Sequence, residues 1–153
     1  MDPVIEQAIR RECESELTKA DLEQVTSLYL DDEVDGEVWD IEDINLEDLA
    51  KLPKLTELGL HSQITDAGLK EVAKLQQLTS LNLNCCEQIT DTGLKEVAKL
   101  QQLKELHLAW TKITDTGLKE VAKLQQLKEL HLTETKITDT GLKEVAKLQQ
   151  LKE

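Results

Sequence analysis

Phenylalanine is absent from this chain of 153 residues, and only Tyr29, Trp39 and Trp110 are aromatic. Any core must therefore be aliphatic, and the 28 leucines are the residues available to build it. Three cysteines are too few, and odd in number, for a disulfide framework. Cys85 and Cys86 are adjacent, with Cα atoms about 3.8 Å apart, short of the usual bridging range. Pairing Cys13 with either would leave a spare thiol, so a reducing, cytoplasmic compartment is the simpler expectation. No apolar run approaches the roughly 18–20 residues that cross a bilayer. Met1-Asp2-Pro3-Val4 carries no basic n-region, so no secretory signal is expected. Basic residues are missing from positions 20–50, which hold twelve Asp and Glu and so contribute −12 of the net charge of −13. Residues 51–153 carry 15 Lys against 14 acids and are close to neutral. With no basic stripe, neither a nucleic acid nor an anionic membrane is an expected partner. A basic partner or a cation near residues 31–48 is compatible with the charge.

What is present is a repeat. The eleven residues GLKEVAKLQQL occur verbatim at 68–78, 93–103, 117–127 and 141–151. Measured from Leu55, Leu78, Leu103, Leu127 and Leu151, the periods are 23, 25, 24 and 24. The units read Leu103-x-x-Leu106-x-Leu108-x-x-Thr111-x-Ile113 and Leu127-x-x-Leu130-x-Leu132-x-x-Thr135-x-Ile137. A period of about 20–29 with that spacing signifies a leucine-rich repeat solenoid.

Two periodicities define each unit. Leu106 and Leu108 alternate as a strand demands, pointing inward, while Glu105, His107 and Ala109 point out. Beyond Ile113, either Thr114 or Asp115 is suited to cap a helix. Leu118, Val121 and Ala122 then share one helical face. A single unit cannot bury its leucines alone, so neighbours must stack. The expected fold is an α/β right-handed solenoid of about five parallel strands, strands on the concave face and helices on the convex face. At the position of Thr111, Thr135 and Cys86, a small polar side chain is expected to bond the backbone that leaves the strand.

The pattern extends upstream. Val25-x-x-Leu28-x-Leu30 reads as a further strand, and Ile41 through Leu55 aligns with Ile64 through Leu78. That unit is 30 residues long, its extra residues falling in Asp31–Asp40. Ahead of it, Ile5 and Ile9 give an i, i+4 apolar face for a short helix, and Thr18 suits the N-cap of a second. These read as a cap over the first edge of the array. The divisions are a helical cap at 1–24, then units at 25–54, 55–77, 78–102, 103–126 and 127–150, with a further unit starting at 151–153. The stop at Leu151-Lys152-Glu153, without a polar terminal cap, suggests part of a longer array.

On these residues the chain resembles bacterial leucine-rich repeat proteins of the L-x-x-L-x-L-x-x-T-x-I-T-D-x-G-L type. The stretch Asn84-Cys85-Cys86-Glu87-Gln88-Ile89-Thr90-Asp91 looks most like the cysteine-containing class. Asp2 through Arg10, followed by Leu17 through Leu22, looks like the helical N-terminal cap of internalin-like proteins. The resemblance covers essentially the whole chain. It implies a binding scaffold with no catalytic residues and no cofactor.

The residues agree that no enzyme is expected. There is no P-loop, G-x-G-x-x-G or H-E-x-x-H, and Ser15, Ser27, Ser62 and Ser80 lack a nucleophile-elbow context. Asp31-x-Glu33-x-Asp35-Gly36 followed by Glu42 has calcium-loop spacing, but a strand precedes it where an entering helix belongs, so a solvated acidic insertion is the stronger reading. His61, His107 and His131 face outward on strands. His107 and His131 stack in register about 4.8 Å apart, with Glu105 and Glu129 nearby. They read as surface polar residues rather than metal ligands.

The expected function is protein binding through the concave sheet face. Because the helical segments repeat verbatim, particularity lies in the outward strand positions. One column is Tyr29, Gly59, Asn82, His107 and His131; the next is Asp31, His61, Asn84, Ala109 and Thr133. The rim is Asp32, Ser62, Cys85, Trp110 and Glu134. Trp110 is the expected anchor, since packing does not require it there. Gly59 is expected to leave a notch between Tyr29 and Asn82. Weak self-association through the C-terminal repeat is also expected. Four verbatim copies suit an engineered consensus array as well as recent duplication, and in an engineered array the role would be structural, with no natural ligand.

Overall fold

Leu106 and Leu108 are fully buried, while His107 between them stands on the opposite, half-open side. That alternation, recurring after 30 residues and then every 23 to 25, builds the sheet. The computed structural model describes residues 1–10, 18–30, 33–34, 37–38, 45–60 and 63–152. Strands β1 (Ser27–Leu30), β4 (Glu57–Leu60), β5 (Ser80–Asn82), β6 (Glu105–His107) and β7 (Glu129–His131) form one sheet in that order. Every pairing is parallel. Helices α3 (Gly68–Val72), α4 (Asp91–Val97), α5 (Asp115–Val121) and α6 (Asp139–Val145) return the chain between and after the strands. This is the expected leucine-rich repeat solenoid.

The inward leucines of the strands and the buried Leu and Val of α3 to α5 make one continuous aliphatic core. Leu69, Leu94 and Leu118, equivalent positions on successive helices, are fully buried. The strand exits after β5, β6 and β7 carry side-chain bonds to backbone carbonyls. The Thr111 and Thr135 hydroxyls donate to Leu108 O and Leu132 O at 2.7 Å, and the buried Cys86 thiol reaches Leu60 O of the preceding unit at 3.2 Å.

The helix starts resolve one alternative left open by the sequence. Thr90, Thr114 and Thr138 are the N-caps of α4, α5 and α6, each accepting from the backbone N–H two residues on. The neighbouring aspartates serve the next unit instead. Asp66, Asp91 and Asp115 each accept from both the backbone N–H and the hydroxyl of the following unit's capping threonine. Gly93, Gly117 and Gly141 lie against those carboxylates, and a Cβ there would overlap the aspartate oxygen. The T-D-x-G run is therefore an inter-unit clasp.

At the N-terminal end, α1 (Pro3–Arg10) places Ile5 and Ile9 in the core against β1. Helix α2 (Lys19–Leu22) is opened by a capping box between Thr18 and Asp21. Asn45 N–H donates to Asp2 at 2.8 Å, tying the cap to the first unit. That unit carries a 3-10 helix, Leu46–Lys51, where the later ones carry an α-helix. Within the acidic insertion, β2 (Glu33–Val34) and β3 (Glu37–Val38) pair antiparallel, a hairpin the sequence reading did not foresee. At the far end, Leu142 of α6 is 46% exposed, whereas its equivalent Leu118 is fully buried.

Candidate functional site

The period-2 pattern that sends leucines inward sends a second set of side chains to the sheet face away from the helices. The register brings the expected first column together. Tyr29 pairs with Gly59, Gly59 with Asn82, Asn82 with His107, and His107 with His131. Two residues earlier on the same face runs Ser27, Glu57, Ser80, Glu105 and Glu129.

His107 and His131 stack with ring centroids 4.3 Å apart and planes 5° from parallel. Burial depresses the pKa of His107 below its ordinary value, the neighbouring His131 adds to this, and Glu105 and Glu129 oppose it. The Tyr29 hydroxyl is pushed up, first by burial and then by the charges of Glu57 and Glu105.

The notch expected at Gly59 does not exist as an opening. A Cβ on Gly59 would overlap the Tyr29 ring, so the ring lies over the glycine and fills the space itself. Gly59 is buried, and Tyr29 remains 48% exposed on its outer side. The glycine thus positions an aromatic surface.

In the second column, Asn84 Oδ1 accepts from Ala109 N–H at 2.9 Å, and Asn82 Oδ1 accepts from Asn84 N–H at 3.0 Å. The carbonyl ends of both asparagines thus hold backbone. Thr133 is exposed, and its carbonyl accepts from Trp110 N–H at 2.9 Å. Cys13, Asp31, Asp32, Asp35, Glu42, His61 and Ser62 lie outside the described residues.

The rim has a property the sequence did not signal. Cys85, Trp110 and Glu134 all adopt positive φ, at 63°, 61° and 55°. Left-handed backbone usually selects glycine or asparagine, and neither stands here. Trp110 occupies this conformation while 57% exposed.

Electrostatically the two faces differ. On the helices, Glu71, Glu96, Glu120 and Glu144 each pair with the lysine three residues on. On the sheet face, Glu57, Glu105 and Glu129 have no ion-pair partner among the described residues. No group of three or more His, Cys, Asp or Glu among the described residues is arranged to hold a metal ion. Of the calcium-loop candidates only Glu33 is described, as part of β2. No described helix is long and apolar enough to cross a membrane.

A family model described as "Leucine Rich repeat" matches residues 74–98, 99–122 and 123–146. Among solved structures, an internalin from Listeria monocytogenes is 25% identical, with a TM-score of 0.62, over 98% of this chain and 48% of its own. The chain therefore spans about half of that internalin's length. Internalin C2 from the same organism is 20% identical, with a TM-score of 0.52, over 98% of this chain and 91% of its own. The protein of the TLR13–ssRNA13 complex is 21% identical, with a TM-score of 0.62, over 89% of this chain and 19% of its own. The last two likenesses concern the fold. No curated protein matches the sequence.

Proposed function

We propose, the chain being a leucine-rich repeat protein of internalin-like kind, that it binds another protein through the open sheet face spanning β1 to β7. Leucine-rich repeat domains in general mediate protein–protein interaction. The observation that carries the finer reading is the exposure of two large aromatic side chains, Tyr29 on that face and Trp110 at its rim, opposite helices of verbatim sequence. Trp110 is the anchor, flanked by Asn82, Asn84, Glu105, Glu129, Thr133 and Glu134; Gly59 contributes by seating Tyr29. Large aromatic side chains dominate binding energy when a partner desolvates them. Repeat proteins of this kind are typically binding scaffolds rather than enzymes, and we assign the chain no catalysis.

A photo-crosslinking residue at Asn82, compared with one at Lys95 on the helical face, tests this reading. The sheet-face probe is expected to capture a discrete protein partner that the helical probe does not. Capture from the helical face alone would move the site to that face, and capture from neither would leave the array a structural role; both overturn the reading.

A second reading has its own observation. In the 153-residue chain, Leu142, Val145, Leu148 and Leu151 line an open hollow of about 330 Å³. Exposed aliphatic surface of this kind favours self-association. Sedimentation of the chain beside Leu142→Glu is expected to show a weak, concentration-dependent dimer in the first and a monomer in the second. Identical profiles would dismiss it.

A further inference from the structure

We infer that the partner is a cationic polypeptide segment, its Arg or Lys side chains meeting Glu57, Glu105 and Glu129 while its remainder lies over the His107–His131 pair and Trp110. This rests on the sheet-face reading above and names the chemistry that would satisfy it.

The first ground is the contrast between the two faces. The chain neutralises its helical glutamates four times over by the same device, a lysine one turn on. On the sheet face it supplies no such lysine, and none of the outward positions of the five strands is Lys or Arg. Glu105 and Glu129 stand directly opposite each other in register. Like charges so placed weaken a sheet, and a cation set between them removes the penalty.

The second ground is the company these carboxylates keep. Tyr29 and Trp110 are exposed aromatics on the face and at its rim. Carboxylates bordered by open aromatic rings are the pairing that guanidinium and ammonium groups recognise, by charge-assisted hydrogen bonds and by attraction to the ring face. A bare metal ion is the poorer occupant, because no three-ligand group is present among the described residues. A nucleic acid would meet the same carboxylates with its own negative charge.

The test is an amide-shift titration of the full chain with an extended (Arg-Ser)5 peptide and with its (Glu-Ser)5 counterpart, at about 50 mM and 500 mM salt. The arginine peptide is expected to shift amides in 82–84, 105–110 and 129–134, and to bind at least tenfold more weakly at the higher salt. The glutamate peptide should shift none. Glu105→Gln with Glu129→Gln should weaken binding at least tenfold, whereas Glu120→Gln with Glu144→Gln on the helical face should change it less than twofold. Thermal melts of both variants establish that they fold, and the salt series on the unaltered chain gives an independent reading. Shifts confined to residues 31–48, or equal affinity in the Glu105→Gln, Glu129→Gln variant, would overturn the inference. If at the same time the Asn82 crosslink still captures its partner, the sheet-face reading survives and only the cationic assignment falls.

Discussion

The Asp91 carboxylate accepts from Thr114 twice, from the backbone N–H at 2.8 Å and from the hydroxyl at 2.6 Å, joining two successive units. The same pair of bonds links Asp66 to Thr90 and Asp115 to Thr138. Because solenoid stability is largely a sum over neighbouring units, a clasp repeated at three successive junctions bears directly on cooperativity.

Removing it at one junction gives the first prediction. Asp91→Ala is expected to cost about 1–3 kcal/mol, as it strands a partly buried N–H. Gly117 fits against that carboxylate only because it lacks a Cβ. Gly117→Ala alone should destabilise by displacing Asp91. In the Asp91→Ala background the same change should cost less, the remaining penalty coming from Leu94 Cδ1, 2.8 Å from the added Cβ. Urea unfolding of the double-mutant cycle checks the coupling, and additive effects would contradict it.

A second prediction follows from the histidine pair. The pKa of His107 is depressed in the folded chain, so the unfolded chain takes up that proton first. Stability is therefore full above the ordinary histidine pKa of about 6.5 and falls as pH drops through the lower folded value. His107→Gln should flatten this part of the profile. The urea midpoint measured from about pH 7.5 to 5.5 reads it, and an unchanged slope in the variant would refute the assignment. Asp115, held low by its bonds to Thr138, acts in a separate window, its contribution being lost only in the acid carboxylate range.

Position within the array should set the cost of identical substitutions. Leu118→Ala empties a fully buried site and is expected to cost about 2–5 kcal/mol. Leu142→Ala, the same residue in the same eleven-residue sequence one unit on, removes a side chain already 46% exposed. It should cost about 1 kcal/mol or less. Hydrogen exchange should likewise protect amides 117–124 more than 141–148, and equal protection would count against a stability gradient along the array.

The solenoid was legible because two periods, 2 on the strands and 3.6 on the helices, recur with four verbatim copies. Register followed from the repeat length, which is why the column from Tyr29 to His131 could be written from sequence. What could not be read were the features that depend on where a side chain turns. The Tyr29 ring covering Gly59 is one, since the pattern gives position but not rotamer. The left-handed backbone at Cys85, Trp110 and Glu134 is another, because no glycine or asparagine marks it. The role of Asp91 was hidden because its partner lies 23 residues on. The β2–β3 hairpin sits in an insertion without hydrophobic periodicity, and only two residues pair on each side.

We propose the open sheet face, anchored by Trp110, as the place where this protein binds another. Trp110 is held exposed in a backbone conformation disfavoured for its residue type, so folding gives little reason for it to be there. The most direct measurement is the affinity of a captured partner for the chain carrying Trp110→Ala with His107→Ala, beside its melting temperature. Binding is expected to fall at least tenfold while stability stays nearly unchanged. A folded double variant that binds its partner undiminished would contradict it.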